Sequence, residues 1–334
     1  MTKRSINIYV TTLIRYKQYG YIYDVDFPNC IQNRIQVKNR THIAQHGGPH
    51  GLAHSDDLLV TGTYDDIRVY DRNLNLVSKF THKFLSGVHG LSVKESKVWV
   101  SSCNNEAVLC FSLDGSLEEV HFLEENKKLM SLIGKEPVSV SRTTDYREQQ
   151  RPYQGQPFHV NDVQRTTSGL EVSLHKLGIV YDLYKDKVVA QIESDDIHDG
   201  RSYSSGVYVN NTGKQKVVKV TSDGEPNREC KVDIMKIGSP SIKLNIIKQK
   251  AKFKIIEKIK SVVPFSSFPS RRCNANWLRG LCVIDEEHVV VGTSPASVCL
   301  VNIEKCEVID YLQLSDQLCE AVFAIMINRT MPSG

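Results

Sequence analysis

The sequence predicts an all-β fold, a six-bladed β-propeller. Three observations carry this expectation: short strand-like runs divided by turn residues, a recurrence of the pattern at about 40 residues, and a similar opening before each recurrence. Runs rich in Val, Ile, Tyr and Leu alternate with polar turns. Leu58-Leu59-Val60-Thr61-Gly62-Thr63 is followed by Asp65-Asp66, then Ile67-Arg68-Val69-Tyr70, then Asp71-Arg72-Asn73. Strand, tight turn, strand is the pattern of an antiparallel meander. It returns in KVWVSSCNNEAVLCFSLDGS (97–116), GVYVNNTGKQKVVKVTSDG (206–224) and EHVVVGTSPASVCLVNIEKCEVIDYL (287–312).

The openings can be superposed. GGPHGLAHSDD, SGVHGLSVKES, PFHVNDVQRTTSG, DDIHDGRSYSS, NWLRGLCVIDEE and QLCEAVFAIM bring His50, His89, His159, His198, Arg279 and Glu320 into one register. The intervals are 39, 70, 39, 81 and 41 residues. Within the first long interval, residues 116–156 are polar and read as a long loop insertion over one face. In the second, 239–270 reads as a lysine-rich insertion or as extra blade strands. Its segment 239–262 is either a basic amphipathic helix, a membrane-surface or partner contact, or a pair of edge strands with lysines outward. If it forms strands, the alternative is seven blades. The N-terminal strands INIYVTTLI, YGYIYDVDF and RIQVKN lack an opening, and the C-terminal CEAVFAIMI ends just after one. The N- and C-terminal segments are therefore expected to share one blade, so that 1–334 forms a single propeller domain with no open sheet edge.

Composition agrees with a globular chain. The 334 residues are 40% hydrophobic and 24% charged, enough to bury a large core. Net charge is 42 − 38 = +4, too mild to announce a nucleic-acid partner. No apolar run approaches the roughly 18–20 residues of a transmembrane segment, and no signal-type apolar stretch opens the chain. The expected location is cytoplasmic. Nine cysteines without a CxxC pair fit reduced thiols in strands.

In a propeller the innermost strand of each blade lines the central channel, so residues at one level form a ring. The superposition puts four imidazoles, one guanidinium and one carboxylate there. His50, His89, His159 and His198 are the expected ligands of one divalent metal ion. Fe(II) is favoured by geometric analogy with the carotenoid-cleavage oxygenases, to which the chain has no sequence likeness; Zn, Mn, Cu or Ni also suit imidazole. Arg279 would clamp an anionic substrate through its planar fork, and Glu320 would handle a proton or support a ligand. Asn161 shares a strand face with His159 and is a candidate substrate contact, as are Asn276, Trp277 and Tyr203, the last two as an apolar wall. Asp162 points the other way and reads as structural.

Taken singly, a histidine at a strand start is more often a packing residue, and the glycine after His50 and His89 is explained by crowding at the axis. His42, His46, His50 and His54 are spaced like a helical stripe, but Gly47-Gly48-Pro49 breaks it. His46 is placed at the channel mouth. His82, His121, His175 and His288 read as surface residues, and Cys103 and Cys110 as poor nucleophiles. No Ser-His-Asp order, P-loop, dinucleotide glycine signature or HExxH is present.

The openings GPHGLA and GVHGLS resemble blade starts of NHL, SMP-30/gluconolactonase and virginiamycin B lyase propellers. FHVNDV, WLRGLCV followed by VVVGTSP, and LCEAVFAI, in that order, resemble the DUF4915 family of bacterial β-propeller proteins. The lysine-rich insert and DDIHDGRSY depart from that pattern. The resemblance implies a propeller fold and a bacterial, pathway-specific biosynthetic role. The functional expectation is a metal-dependent enzyme acting on a small anionic substrate in the channel, as oxygenase, lyase or lactonase-like hydrolase. The alternative is a non-catalytic scaffold that binds a protein or ligand on one face.

Overall fold

The computed structural model describes residues 6–14, 19–27, 36–43, 48–55, 57–149, 155–194, 196–221, 224, 226–238, 240, 243–244, 246–248, 277–315, 317 and 320–328. The chain opens with β1 (Ile6–Ile14), β2 (Tyr19–Phe27) and β3 (Gln36–Ile43). Five blades follow in sequence. The first is β4 (Leu52–Ser55), β5 (Leu58–Gly62), β6 (Asp66–Tyr70) and β7 (Leu76–Thr81). The second is β8 (Val88–Lys94), β9 (Lys97–Ser102), β10 (Ala107–Ser112) and β11 (Leu117–Phe122). The third is β12 (Val160–Arg165), β13 (Leu170–Leu174), β14 (Ile179–Asp182) and β15 (Lys187–Gln191). The fourth is β16 (Ile197–Tyr203), β17 (Gly206–Asn211), β18 (Lys216–Val220) and β19 (Pro226–Lys231). The fifth is β20 (Trp277–Val283), β21 (His288–Ser294), β22 (Ser297–Asn302) and β23 (Glu307–Gln313). Last comes β24 (Glu320–Asn328), which pairs with β1 and so completes a sixth blade in the order β24-β1-β2-β3. The protein is a six-bladed propeller whose ring is closed by its two ends, as the sequence predicts.

Local chemistry explains the meanders. Central strands such as β10 (AVLCFS) and β17 (GVYVNN) are buried on both faces and read as continuous apolar or small-polar runs. Turns carry their own acceptors: Asp71 Oδ1 takes the backbone N–H groups of Asn73 and Asn75, each at 2.8 Å. Apolar side chains of neighbouring blades then interleave. Val60, Ile67 and Val69 of the first blade meet Val88, Leu91 and Val98 of the second, and Ile8, Val10 and Tyr23 of the sixth meet Val290 and Val298 of the fifth. Each such buried side chain contributes about 1.5–3 kcal/mol.

The two long intervals hold no seventh sheet among the described residues. The segment expected to be a loop, 116–156, begins with β11, the outer strand of the second blade, because Leu117, Val120 and Phe122 face the sheet. A short helix, α1 (Lys127–Leu132), follows, its Leu129 N–H donating to the Asn126 side chain at 2.8 Å. Of the lysine-rich stretch, residues 240, 243, 244 and 246–248 are helical, with Ile246 buried; the remainder lies outside the described residues. Among the described residues no helix is long and apolar enough to cross a membrane.

Five of the six inner strands share one irregularity that matters for the site. Pairing with the next strand shifts register between Val88 and Leu91, Val160 and Asp162, Ile197 and Gly200, and Arg279 and Leu281, and in β24 around Phe323. These are β-bulges, which kink the strand and re-aim a side chain.

Candidate metal centre at the channel mouth

The bulges fix which residues stand at one level. His50, His89, Asn161, His198, Arg279 and Phe323 precede the equivalent residues Gly51, Gly90, Asp162, Asp199, Gly280 and Ala324 on the six inner strands. Two expected members are displaced. Glu320 lies three residues before Phe323, opposite Ile14, and is fully buried inside the sixth blade. Its Oε1 accepts hydrogen bonds from Thr12 Oγ1 at 2.6 Å and Tyr23 OH at 3.1 Å, so it serves the blade rather than the channel. His159 lies two residues before Asn161, ahead of β12.

His159 nevertheless reaches the rim by another route. Its backbone is left-handed, φ 52°, a strained setting for a side-chain-bearing residue. Glu106 of the second blade holds it there, Oε1 accepting from the N–H groups of Phe158 at 3.1 Å and His159 at 2.8 Å. His175, expected on the surface, also belongs to the rim. It begins the 3₁₀ turn His175–Leu177 after β13, and Cys103 begins the matching turn Cys103–Asn105 after β9.

The side chains form a closed circuit. Phe323 stacks on His50 with ring centroids 4.9 Å apart. Successive centroids are then 5.9 Å (His50–His89), 5.7 Å (His89–His159), 4.9 Å (His159–His175) and 5.4 Å (His175–His198). His198 is 5.9 Å from Trp277, and the Arg279 guanidinium carbon lies 4.8 Å from the Trp277 ring and 4.6 Å from that of Phe323. Trp277 thus flanks Arg279. Asn276 lies outside the described residues, as does His46. Tyr203 does not join Trp277: five residues beyond His198 on an extended strand, it lines the opposite mouth, in a wider cavity of about 370 Å³.

Hydrogen bonds settle the tautomer of every rim histidine. A carbonyl oxygen can only accept, so Nδ1 carries the proton in His50 (to Val88 O, 2.8 Å), His89 (to Gly87 O, 2.9 Å) and His175 (to Ile197 O, 3.2 Å). Thr212 Oγ1 donates to Leu278 O and therefore accepts from His198 Nδ1 at 2.8 Å. Gln156 Nε2 donates to Asn104, which leaves its Oε1 to accept from His159 Nδ1 at 3.0 Å. All five rings keep Nε2, the nitrogen farther from the backbone, as the lone-pair atom. Such pinning of the other ring nitrogen is typical of metal-ligating histidines. Burial, and after it the Arg279 charge with the neighbouring rings, holds His198 well below the usual imidazole range. Burial and then His50 and Arg279 do the same for His89, and burial and then His175 bring His159 down to about 4. These three imidazoles are neutral at pH 7, the form that binds metal.

The described residues offer two groups whose ligand atoms lie within 4.8 Å of one another: His89, Cys103 and His159, and His175, Asp196 and His198. The four histidines expected to hold one ion are thus divided between two mixed donor sets, and His50 belongs to neither. In the second group Asp196 Oδ1 stands 3.3 Å from Nδ1 of both His175 and His198.

Beneath the rim the channel narrows. Four blades place Gly51, Gly90, Gly280 or Ala324 at this level, and a Cβ on Gly90 would come within 2.4 Å of Asp162 Oδ1. The third and fourth blades instead contribute Asp162 and Asp199, both buried, with Arg201 beside them. Asp162, expected to be structural, therefore faces the channel; the bulge at Asn161 reverses the simple alternation of the strand. Asn161 Nδ2 donates to Ile197 O at 2.9 Å, while its buried Oδ1 has no hydrogen-bond partner among the described residues. The free space enclosed here, about 20 Å³, suits a water-sized occupant.

The chain is similar in fold to solved structures. A protein of unknown function from Bacteroides caccae aligns over 98% of this chain and 100% of its own, with TM-score 0.57 and 7% identity. A chain of a nidogen/laminin complex aligns over 97% and 98%, with TM-score 0.59 and 7% identity. No family model and no curated protein matches the sequence. At these identities the likeness extends to the fold alone, and the two candidate metal-binding groups on the channel rim are read from this chain's own residues.

Proposed function

We propose that this propeller is a metal-dependent enzyme acting on a small anionic molecule at the mouth of its channel, with a divalent ion, Fe(II) favoured, held by His175, His198 and Asp196. The observation that carries the reading is the gathering of one ligand atom each from His175, Asp196 and His198 within 4.8 Å of one another. Two histidines and one carboxylate are the donor set of non-haem Fe(II) sites with open positions. Bound there, the ion supplies Lewis acidity or an activated water at neutral pH.

The chain's own residues do the rest. Ile197 O and Thr212 Oγ1 orient the two rings, and burial keeps His198 unprotonated. Asp196 holds the pair in register and supplies negative charge toward a cation. Arg279, between Trp277 and Phe323, offers a permanent positive charge with a planar fork suited to a carboxylate or phosphate. The narrow space below admits only water-sized occupants, so the anion is received on the rim. Proton handling, expected of Glu320, has better-placed candidates in Asp162 and Asp199, which line the same space as Arg279.

The test is elemental analysis of untagged protein purified without oxygen, beside His198→Ala and Asp196→Asn. About one equivalent of iron or manganese, lost in both folded variants, supports the reading. Equal iron and manganese in variants and parent, or none in any with no change in melting temperature on adding either ion, overturns it and leaves a propeller scaffold.

A further inference from the structure

We propose that His89, Cys103 and His159 form a second, separate metal site on the same rim, one that takes a thiophilic d¹⁰ ion, Cu⁺ or Zn²⁺. It uses none of the three residues of the preceding reading, so the two can fail independently.

The geometry is that of a gathered donor set. The three ligand atoms lie within 4.8 Å of one another. The donors come from two blades and three kinds of local structure: a bulged inner strand, a 3₁₀ turn and a left-handed residue held by Glu106. That convergence costs backbone strain at His159, and strain of this kind gathers at functional sites. Each histidine is also oriented from behind. Gly87 O takes the His89 Nδ1 proton, leaving Nε2 as the donor. Gln156 braces His159 and is itself bonded to Asn104, the residue next to Cys103.

Two chemical points choose the ion. A thiol that is 1% exposed is a poor nucleophile for any substrate, whereas a buried sulfur between two neutral imidazoles is a soft donor. Sulfur with imidazole selects Cu⁺ and Zn²⁺ over Fe²⁺ or Mn²⁺, while two imidazoles with a carboxylate do the reverse. The two groups adjoin through the His159–His175 contact at 4.9 Å, so one rim carries a soft and a hard donor set side by side. Binding removes the Cys103 proton, so one proton is released per ion bound.

The experiment titrates reduced, full-chain protein with Zn²⁺ and with Cu⁺, each against a chromophoric chelator, and with Co²⁺ as an optical probe. The parent is expected to take one equivalent of at least one d¹⁰ ion and to show a sulfur-to-cobalt charge-transfer band. Cys103→Ser should weaken binding by about 100-fold and abolish the band, whereas His288→Ala, at the end of β21 away from Trp277, should leave both unchanged. Whichever of Zn²⁺ and Cu⁺ competes better names the resident ion. Cys103→Ser titrating like the parent, or a parent with neither band nor competition, overturns the proposal. If Cys103→Ser does not fold, proton release decides: the parent must release one proton per Zn²⁺ bound in weakly buffered solution, and binding with no release overturns the proposal as well.

Discussion

Asp162 of the third blade and Arg201 of the fourth meet at 2.7 Å beneath the histidine rim, carboxylate oxygen to guanidinium nitrogen. The pair is not a simple ion pair. Burial pushes the Asp162 carboxyl up, Arg201 pulls it back in part, and nearby Asp199 pushes it up again, to about 7. Asp199 is raised as well, chiefly by burial.

This shift gives stability a definite pH dependence. The folded-state value of Asp162 lies above its ordinary 3.8, so the folded protein holds the proton more tightly. Its contribution is complete below the ordinary value and is lost as pH rises through about 7. Asp162→Asn removes that slope. Melting temperatures between about pH 5 and pH 8 should show the variant gaining on the parent as pH rises; a constant difference would refute the assignment.

His159 titrates in the opposite sense. Its folded value, about 4, lies below the ordinary 6.5, so its contribution is complete above 6.5 and lost as pH falls toward 4. His159→Ala and His159→Gly should both flatten the acid limb of the stability profile. The glycine variant should be the more stable by about 1 kcal/mol, because glycine adopts the left-handed φ of 52° without strain. Chemical denaturation of the two variants measures the difference.

Arg279 should be felt by the rings around it. Its charge helps to hold His89, His159 and His198 in their neutral forms. Arg279→Gln is therefore expected to raise the pKa of all three, read by NMR titration of labelled imidazoles. Arg279→Lys, which keeps the charge but loses the planar fork, should leave those values near the parent's while weakening binding of carboxylates at the rim.

Cys230 and Cys306 join the fourth and fifth blades through one acceptor, both sulfurs approaching Ile303 O, at 3.3 and 3.5 Å. Cys306 is exposed and Cys230 is buried behind it. Mild oxidation with diamide should link the pair, seen by mass spectrometry as one cross-linked peptide. Cys110, whose thiol burial pushes up to about 12, should stay unmodified. Cys306→Ser should prevent the link.

Much of this molecule is legible in its sequence, and the illegible part has a physical cause. Strand runs and turn residues reveal the blades, and HGL, HGL, HDG and RGL mark His50, His89, His198 and Arg279 correctly. The superposition slips at His159 and Glu320. A bulge inserts a residue without changing composition, so matching charged or ring-bearing letters aligned His159 where Asn161 stands and Glu320 where Phe323 stands. Aligning the apolar residue two positions later, Val163 and Ile325 with Leu52 and Leu91, would have recovered both. His175, Cys103 and Asp196 escape for a different reason. They sit on turns between strands, where no periodicity reports which way a side chain faces.

The closure of the sixth blade has a mechanical consequence. β1 and β24 run antiparallel, with Asn7 opposite Asn328 at one end and Ile14 opposite Glu320 at the other. A load applied through Ile6 and Asn328 therefore falls on a single rung, and the rungs give way in succession from that end. Opposed pulling along a shear direction would load them all together. Stretched by its ends, the propeller should come apart at low force as a zip that starts at Asn7, and the remaining five blades should follow only after the sixth has parted.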